Sequence, residues 1–189
     1  MKRLIYVHGW SGGPSTEAWV GALKKYCEKK KIKFIAPQMP NTESPRMDEW
    51  IAKLQETVGE LDDQTGFVGY SVGCQTIIRY LSYIKEDVVV DKIVFVAPWT
   101  KLDQLSIEEE GEESVKIVES WVNVPIDFEE AKSHMNKVLA IFSTDDPYVP
   151  LSNTKIFEKK LNAKVIIKEN EEHFTEIKEI KEIMKFIGK

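Results

Sequence analysis

Short, wholly apolar segments alternate along this chain with longer segments of helical periodicity, and this alternation restricts the possible folds more than any other feature. A strand that is apolar on both faces has to be covered on both faces, as in a parallel sheet flanked by helices. The pattern therefore predicts an α/β fold with a mainly parallel sheet of about six strands and helices on both faces. The segments that predict strands are Leu4–Val7, Lys33–Ala36, Gly66–Val68, Lys92–Ala97, Val138–Ser143 and Lys164–Lys168.

The segments between these strands place apolar residues one helical turn apart. Residues 16–30 carry Trp19, Leu23 and Tyr26 at this spacing, and residues 47–61 repeat the pattern. Helices of this kind connect successive parallel strands. We therefore expect residues 1–189 to form a single α/β domain, which a chain of this length can build around one core.

The stretch from 99 to 125 departs from the alternation and contains the acidic run EEEGEE at 108–113. The favoured interpretation of this run is a solvated loop or helix face. The alternative is a minimal lid inserted at 99–125, whose negative charge would repel anionic substrates.

The charge of the chain excludes several classes of partner. Its formal net charge is −5 at pH 7, so binding to nucleic acid or to an anionic membrane is disfavoured on electrostatic grounds.

The apolar run at the N-terminus is too short for a signal peptide, and no apolar segment reaches the length of a membrane span. We therefore expect a cytoplasmic protein.

A serine stands between two glycines in the sequence GYSVG at 69–73. Val68 closes a predicted strand, and a helix is expected to open at Gln75, so Ser71 lies in a strand-to-helix turn. A turn of this type is a nucleophile elbow, in which a strained backbone exposes the hydroxyl. The alternative is a glycine-rich packing corner with an idle serine.

A serine nucleophile needs a base, and the chain has three histidines. His8 lies where the first strand passes into a loop. His134 lies in a polar helical segment and is expected to be a surface histidine. His173 follows the last strand, at the same edge of the sheet as Ser71, and is therefore the predicted base.

Two adjacent acids, Asp145 and Asp146, follow the fifth strand and are candidates for orienting this histidine. With either of them the order along the chain is serine, acid, histidine, as in α/β-hydrolases. The aspartate that is not the acid would be a turn-forming residue.

The remaining candidates concern the oxyanion and the substrate. The backbone N–H groups of Val72 and Trp10 are the predicted oxyanion donors. Trp99 and Trp121 lie in predicted loops and could line an aromatic pocket or cap the core equally well. Three dispersed histidines and two dispersed cysteines do not form a metal-binding cluster, so we expect neither a metal nor an organic cofactor.

Over essentially its whole length the chain resembles the small α/β-hydrolases of the YdeN type, which are similar to retinoblastoma-binding protein nine, a serine hydrolase. The resemblance rests on YVHGWSGG, GYSVG, APW at 97–99, DDPYVP at 145–150 and EHF at 172–174. It implies that Asp146 is the acid, because the superfamily pattern is Asp-x-x-Val-Pro. Glu172 is a departure, since family members usually carry glycine immediately before the histidine.

These features predict a serine hydrolase acting on small esters through Ser71, Asp146 and His173. A serine peptidase or amidase acting on short peptides would use the same residues. A catalytically silent protein-binding module on the same scaffold is the third possibility, with no partner identified.

Overall fold

Six parallel strands form one sheet in a computed structural model of the chain, which describes residues 1–85 and 87–188. In chain order the strands are β1 Arg3–Val7, β2 Lys33–Ile35, β3 Thr65–Tyr70, β4 Val90–Val96, β5 Met135–Ser143 and β6 Lys164–Lys168. Their order across the sheet is β2-β1-β3-β4-β5-β6, and every neighbouring pair is parallel. The predicted α/β fold with a parallel sheet of six strands is confirmed.

Helices connect the strands, as parallel pairing requires. They are α1 Ala18–Lys29, α2 Met47–Val58, α3 Val72–Tyr83, α4 Gln104–Glu109, α5 Glu112–Val122, α6 Phe128–Ser133, α7 Ser152–Leu161 and α8 Lys181–Ile187. Helices α2 and α6 both pack on α3, and α1 packs on α8. Within the described ranges, no helix combines the length and the apolar character that crossing a membrane requires.

The core lies along the central strands. All six residues of β3 are buried, and so is every residue of β4 except Asp91. Helix α1 contributes one apolar stripe, in which Trp19 and Leu23 are buried, while its lysines face outward. These strands are mainly apolar because helices cover them.

The region between β4 and β5 is more regular than the sequence pattern indicates, because it contains α4 and α5. Asp103 caps α4 by accepting a hydrogen bond from the amide of Ser106 at 3.1 Å. Gly111, at φ 102°, separates the two helices. The acidic run thus ends one helix and begins the next.

A buried arginine connects this region to the helix that follows β3. The guanidinium of Arg79 in α3 donates to the carbonyls of Trp121 and Val124, at 2.7 and 2.8 Å. It also bonds the side chain of Gln75 within its own helix, at 3.1 Å. The C-terminal end of α5 is therefore held against α3.

Candidate active site

Ser71 is the single residue between β3 and α3, since the strand extends to Tyr70 and the helix begins at Val72. The turn is tighter than the sequence pattern predicts, because both elements reach the serine. Its backbone has φ 51° and ψ −120°, a combination that residues other than glycine rarely adopt. Its amide donates to the carbonyl of Val96 at 2.9 Å, which ties the turn to the neighbouring strand.

Gly73 permits this turn because α3 begins directly against the end of β1. A Cβ atom at position 73 would lie 2.3 Å from the carbonyl oxygen of Val7 and 2.6 Å from that of His8. Both contacts are with backbone atoms, which cannot move aside as a flexible side chain can. The second glycine of the motif therefore serves the close approach of helix and strand.

Three polar side chains from three different loops form a hydrogen-bonded chain at the C-terminal edge of the sheet. Nε2 of His173 lies 3.1 Å from Oγ of Ser71, and Nδ1 of His173 lies 2.8 Å from Oδ2 of Asp146. The side chain of Asp146 is 1% exposed and that of His173 is 16% exposed. The acid is thus buried, while the imidazole remains accessible beside the hydroxyl.

The two adjacent aspartates have different environments. Oδ1 of Asp146 accepts hydrogen bonds from the amides of Tyr148 and Val149, at 2.9 and 3.0 Å, which leaves Oδ2 for the histidine. Asp145 is exposed and accepts hydrogen bonds from the hydroxyl of Ser143 and the amide of Glu172. The Ser143 hydrogen bond is the main cause that lowers the pKa of Asp145. Asp145 therefore holds the loop that carries the histidine.

The histidine loop is further constrained by its neighbours. Tyr70 donates its hydroxyl to the carbonyl oxygen of His173 at 2.6 Å, and the ring of Tyr148 meets the imidazole edge-on at 5.3 Å. Glu172 has φ 45°, in the left-handed region that favours glycine. This conformation gives a physical reason for the glycine that family members usually carry at this position.

The other two histidines have different surroundings. His8 is buried, its Nδ1 lies 2.8 Å from the carbonyl oxygen of Gly9, and its Nε2 accepts from the amide of Met39 at 3.1 Å. Burial lowers the pKa of His8. The expectation that His134 is a surface histidine is wrong. This histidine is buried, with Nδ1 2.9 Å from the carbonyl oxygen of Val88.

The predicted oxyanion donors both border the cavity that contains Ser71. Val72 is the first residue of α3, so its N–H has no acceptor within the helix. In the loop after β1, Ser11 and Gly12 donate their amides to backbone carbonyls. For the amide of Trp10, no acceptor is found in the part of the chain that the structure describes. Val72 and Trp10 thus both line the cavity, and neither amide has an acceptor among the described residues.

A cavity of about 560 Å³ opens above the serine and the histidine. Trp99 lines it, as expected, but Trp121 does not. The indole of Trp121 is 1% exposed, packs edge-on against Trp50 and donates to the carbonyl oxygen of Pro45 at 2.9 Å. Trp121 lies near the end of α5 and not in the predicted loop, and its apolar surface is buried in the core.

Tyr70, Tyr148 and Glu17 also line the cavity and were not singled out from the sequence. The partner of the Tyr70 hydroxyl lies 103 residues away along the chain, a distance at which no local pattern indicates contact. Within residues 1–85 and 87–188, no three His, Cys, Asp or Glu side chains are grouped so that they could hold a metal ion.

The parallel sheet and the serine at a strained strand-to-helix turn define an α/β-hydrolase. The family model described as "Serine hydrolase" matches residues 4–182 of the chain. The protein therefore belongs to the serine hydrolase family.

Individual relatives cover nearly the whole chain. Serine hydrolase RBBP9 of Rattus norvegicus is 25% identical over 187 residues, which span 97% of this chain and 94% of that protein. YdeN of Bacillus subtilis is 23% identical over 175 residues, which span 93% of this chain and 87% of that protein. The crystal structure of YdeN superimposes with a TM-score of 0.87, covering 100% of this chain and 97% of YdeN. The resemblance seen in the sequence motifs is thus confirmed.

Proposed function

We propose that the protein is a carboxylic-ester hydrolase that works through Ser71, His173 and Asp146. The single observation that carries this proposal is the hydrogen-bonded chain from Oγ of Ser71 through the imidazole to the buried carboxylate, at 3.1 and 2.8 Å. A serine hydroxyl becomes a nucleophile when a base within this distance accepts its proton, and the acid holds the imidazole in the required tautomer.

In the proposed mechanism, Oγ of Ser71 attacks the ester carbonyl as Nε2 of His173 accepts the hydroxyl proton. The imidazolium then donates this proton to the leaving alcohol, and an acyl-enzyme remains. Water, deprotonated by the same imidazole, hydrolyses the acyl-enzyme and restores the serine. The amides of Val72 and Trp10 stabilise the oxyanion in both steps, each donor contributing about 10²-fold or more to the rate.

The dimensions of the site favour a small substrate. A cavity of about 560 Å³ lies within the range of small-molecule sites. Leu102 and Ile107 provide part of its apolar wall, and both belong to the region between β4 and β5. This region, residues 99–125, therefore acts as a minimal lid. An amide substrate needs the same catalytic groups, so a peptidase acting on short peptides is the alternative function.

The test combines a fluorophosphonate probe with turnover of a short-chain aryl ester. We expect the wild-type protein to be labelled and to hydrolyse the ester, and Ser71→Ala to lose labelling and at least about 10⁴-fold in kcat. An aminoacyl amide measured beside the ester distinguishes esterase from peptidase. Faster turnover of the amide would support the peptidase, and an unlabelled, inactive wild type would support the binding module.

The adjacent aspartates supply a matched pair of variants for the same assay. Asp146→Asn should lower kcat about 10⁴-fold. Its side-chain oxygen would stay with the amides of Tyr148 and Val149, so its NH2 group would donate to Nδ1 of His173 and select the wrong tautomer. Asp145→Asn should cost less than about tenfold, because its Oδ1 can still accept from Ser143 and Glu172. Equal losses in the two variants would contradict the assignment of Asp146 as the acid.

A further inference from the structure

Five glutamates line the active-site cavity although they are far apart in the sequence. Glu17 precedes α1, Glu43 lies between β2 and α2, Glu110 and Glu113 belong to the acidic run, and Glu176 follows β6. No lysine or arginine lines the cavity in the part of the chain that the structure describes. The imidazole that borders the serine is the one basic side chain among these lining residues.

The negative charges of these glutamates are not compensated by ion pairs. The salt bridges formed between described residues involve none of the five. Glu110 accepts a hydrogen bond from the hydroxyl of Tyr148 at 2.8 Å, and Glu43 accepts one from the hydroxyl of Ser11 at 2.9 Å. These donors are neutral hydroxyls, so the cavity keeps a concentrated negative potential.

Glu17 is the most informative of the five because it is only 4% exposed and still lines the cavity. Its side chain accepts a hydrogen bond from the hydroxyl of Tyr6. Burial is the main cause that raises the pKa of this carboxyl. An ionised carboxylate at this depth without a cation is costly, and a positively charged ligand in the cavity would remove that cost.

Trp99 gives an independent indication that the cavity is built for a ligand. Its side chain is 2% exposed and lines the cavity, and its buried indole N–H has no acceptor among the described residues. Trp10 lies on the same cavity. Indole rings bind cations through their faces, most strongly where water is excluded. Among the described residues, the cavity lining thus combines carboxylates that form no ion pair with two tryptophan side chains.

We propose that the cavity selects acyl substrates that carry a positive charge, as an ammonium or quaternary ammonium group near the reacting carbonyl. This inference rests on the proposed function, because it names the substrate class of the same site. It also changes the interpretation of the acidic run. Glu110 and Glu113 attract cations into the cavity, and repulsion of anions is the other consequence of the same charge.

Three p-nitrophenyl esters with the same spacer test the inference. They are the esters of 4-trimethylammoniobutanoic acid (cationic), 5,5-dimethylhexanoic acid (neutral, with tert-butyl replacing trimethylammonium) and glutaric acid (anionic monoester). Each kcat/KM is divided by the rate of spontaneous hydrolysis, which corrects for intrinsic reactivity. We expect the cationic ester to exceed the neutral one at least about tenfold at low ionic strength, and the anionic ester to be slowest. Salt at 0.5 M, a concentration chosen to screen the charges, should reduce the preference.

Charge-removing variants locate the effect. Glu110→Gln, Glu113→Gln and Glu176→Gln should each lower the ratio of cationic to neutral kcat/KM about two- to fivefold. Glu109→Gln and Glu112→Gln are matched controls from the same acidic run. They remove the same charge from exposed positions outside the cavity and should lower the ratio clearly less than the lining variants do, because their charges lie farther from the substrate.

The outcomes separate failure of the inference from failure of the proposed function. Labelling of Ser71 with equal turnover of the cationic and neutral esters would overturn the cation preference alone. A preference lowered equally by the lining variants and the controls would also overturn it, because the cause would then be net charge. An unlabelled protein that hydrolyses none of the three esters would overturn the proposed esterase, and the inference with it.

Discussion

At the scale of single residues, Ser71 has a backbone conformation that its side chain makes unfavourable. A non-glycine residue at φ 51° and ψ −120° costs about 1–3 kcal/mol of folding free energy. Glycine avoids this cost, but its larger loss of backbone entropy on folding cancels part of the gain. We therefore expect the free energy of unfolding of Ser71→Gly to exceed that of Ser71→Ala by about 1–2 kcal/mol, as measured by urea denaturation.

The alanine variant is the control for this prediction because it removes the hydroxyl but retains Cβ. If the two variants unfold at the same urea concentration with equal slopes, the strain at Ser71 does not exceed the entropy cost of glycine. A higher stability of the glycine variant would indicate that the nucleophile is maintained at the expense of folding stability, a frequent compromise at active sites.

Residues differ in how far the sequence alone identifies them. Ser71 and His173 could be predicted because Ser71 directly follows β3 and His173 lies in the loop after β6, and parallel strands bring such positions to one edge. The choice between Asp145 and Asp146 needed a family pattern, since both occupy the same turn. For Trp121 the pocket and the core stayed equally open, because composition does not distinguish a tryptophan that faces a cavity from one that faces the core. The residue lies in α5 and not in the predicted loop, and it is buried in the core.

At the scale of elements, the junction of α3 with β1 depends on the absence of a side chain at Gly73. Gly73→Ala should lower the free energy of unfolding by about 1–3 kcal/mol, because its Cβ would overlap backbone oxygens. It should also lower hydrolase activity, since any shift of α3 moves Ser71. Urea denaturation and kcat/KM measure the two effects.

The control is the other glycine inside a long helix. Gly21 lies in α1, and a Cβ there would meet no atom within 4 Å. Gly21→Ala should therefore raise stability by about 0.5–1 kcal/mol through helix propensity. If both alanine variants change stability in the same direction, the close contact at Gly73 is not what determines its effect.

Helices and strands could be predicted where apolar residues recur at regular spacing, and less well where they do not. The strands could be predicted because each contains a short apolar segment, as expected of a sheet covered on both faces. Helices α4 and α5 were not predicted, because α4 has only six residues and the acidic run at 108–113 covers the end of α4 and the start of α5. Their positions depend on distant contacts, such as the carbonyls bound by Arg79, which no local periodicity encodes.

At the scale of the whole molecule, the cavity is lined by segments that follow each of the six strands, so its geometry depends on the entire sheet. His8 connects two of these regions, because it follows β1 and accepts a hydrogen bond from Met39 beyond β2. Its Nε2 can accept this bond only when unprotonated. The charge state of one buried imidazole is therefore coupled to the stability of the fold.

This coupling has a defined sign. Burial lowers the pKa of His8 in the folded protein below the ordinary value of 6.5, so the unfolded chain binds the proton more readily. The free energy of unfolding should therefore fall as pH decreases through 6.5 towards the folded-state pKa. Relative to His8→Gln, which retains an acceptor but does not titrate, the wild type should lose stability between pH 7.5 and 5.5, by at most about 1.4 kcal/mol. Urea denaturation at several pH values measures the difference, and groups that titrate identically in both proteins, such as Glu17, cancel. Parallel pH curves for the two proteins would show that His8 is not held neutral, because the proton would then bind folded and unfolded chains equally well.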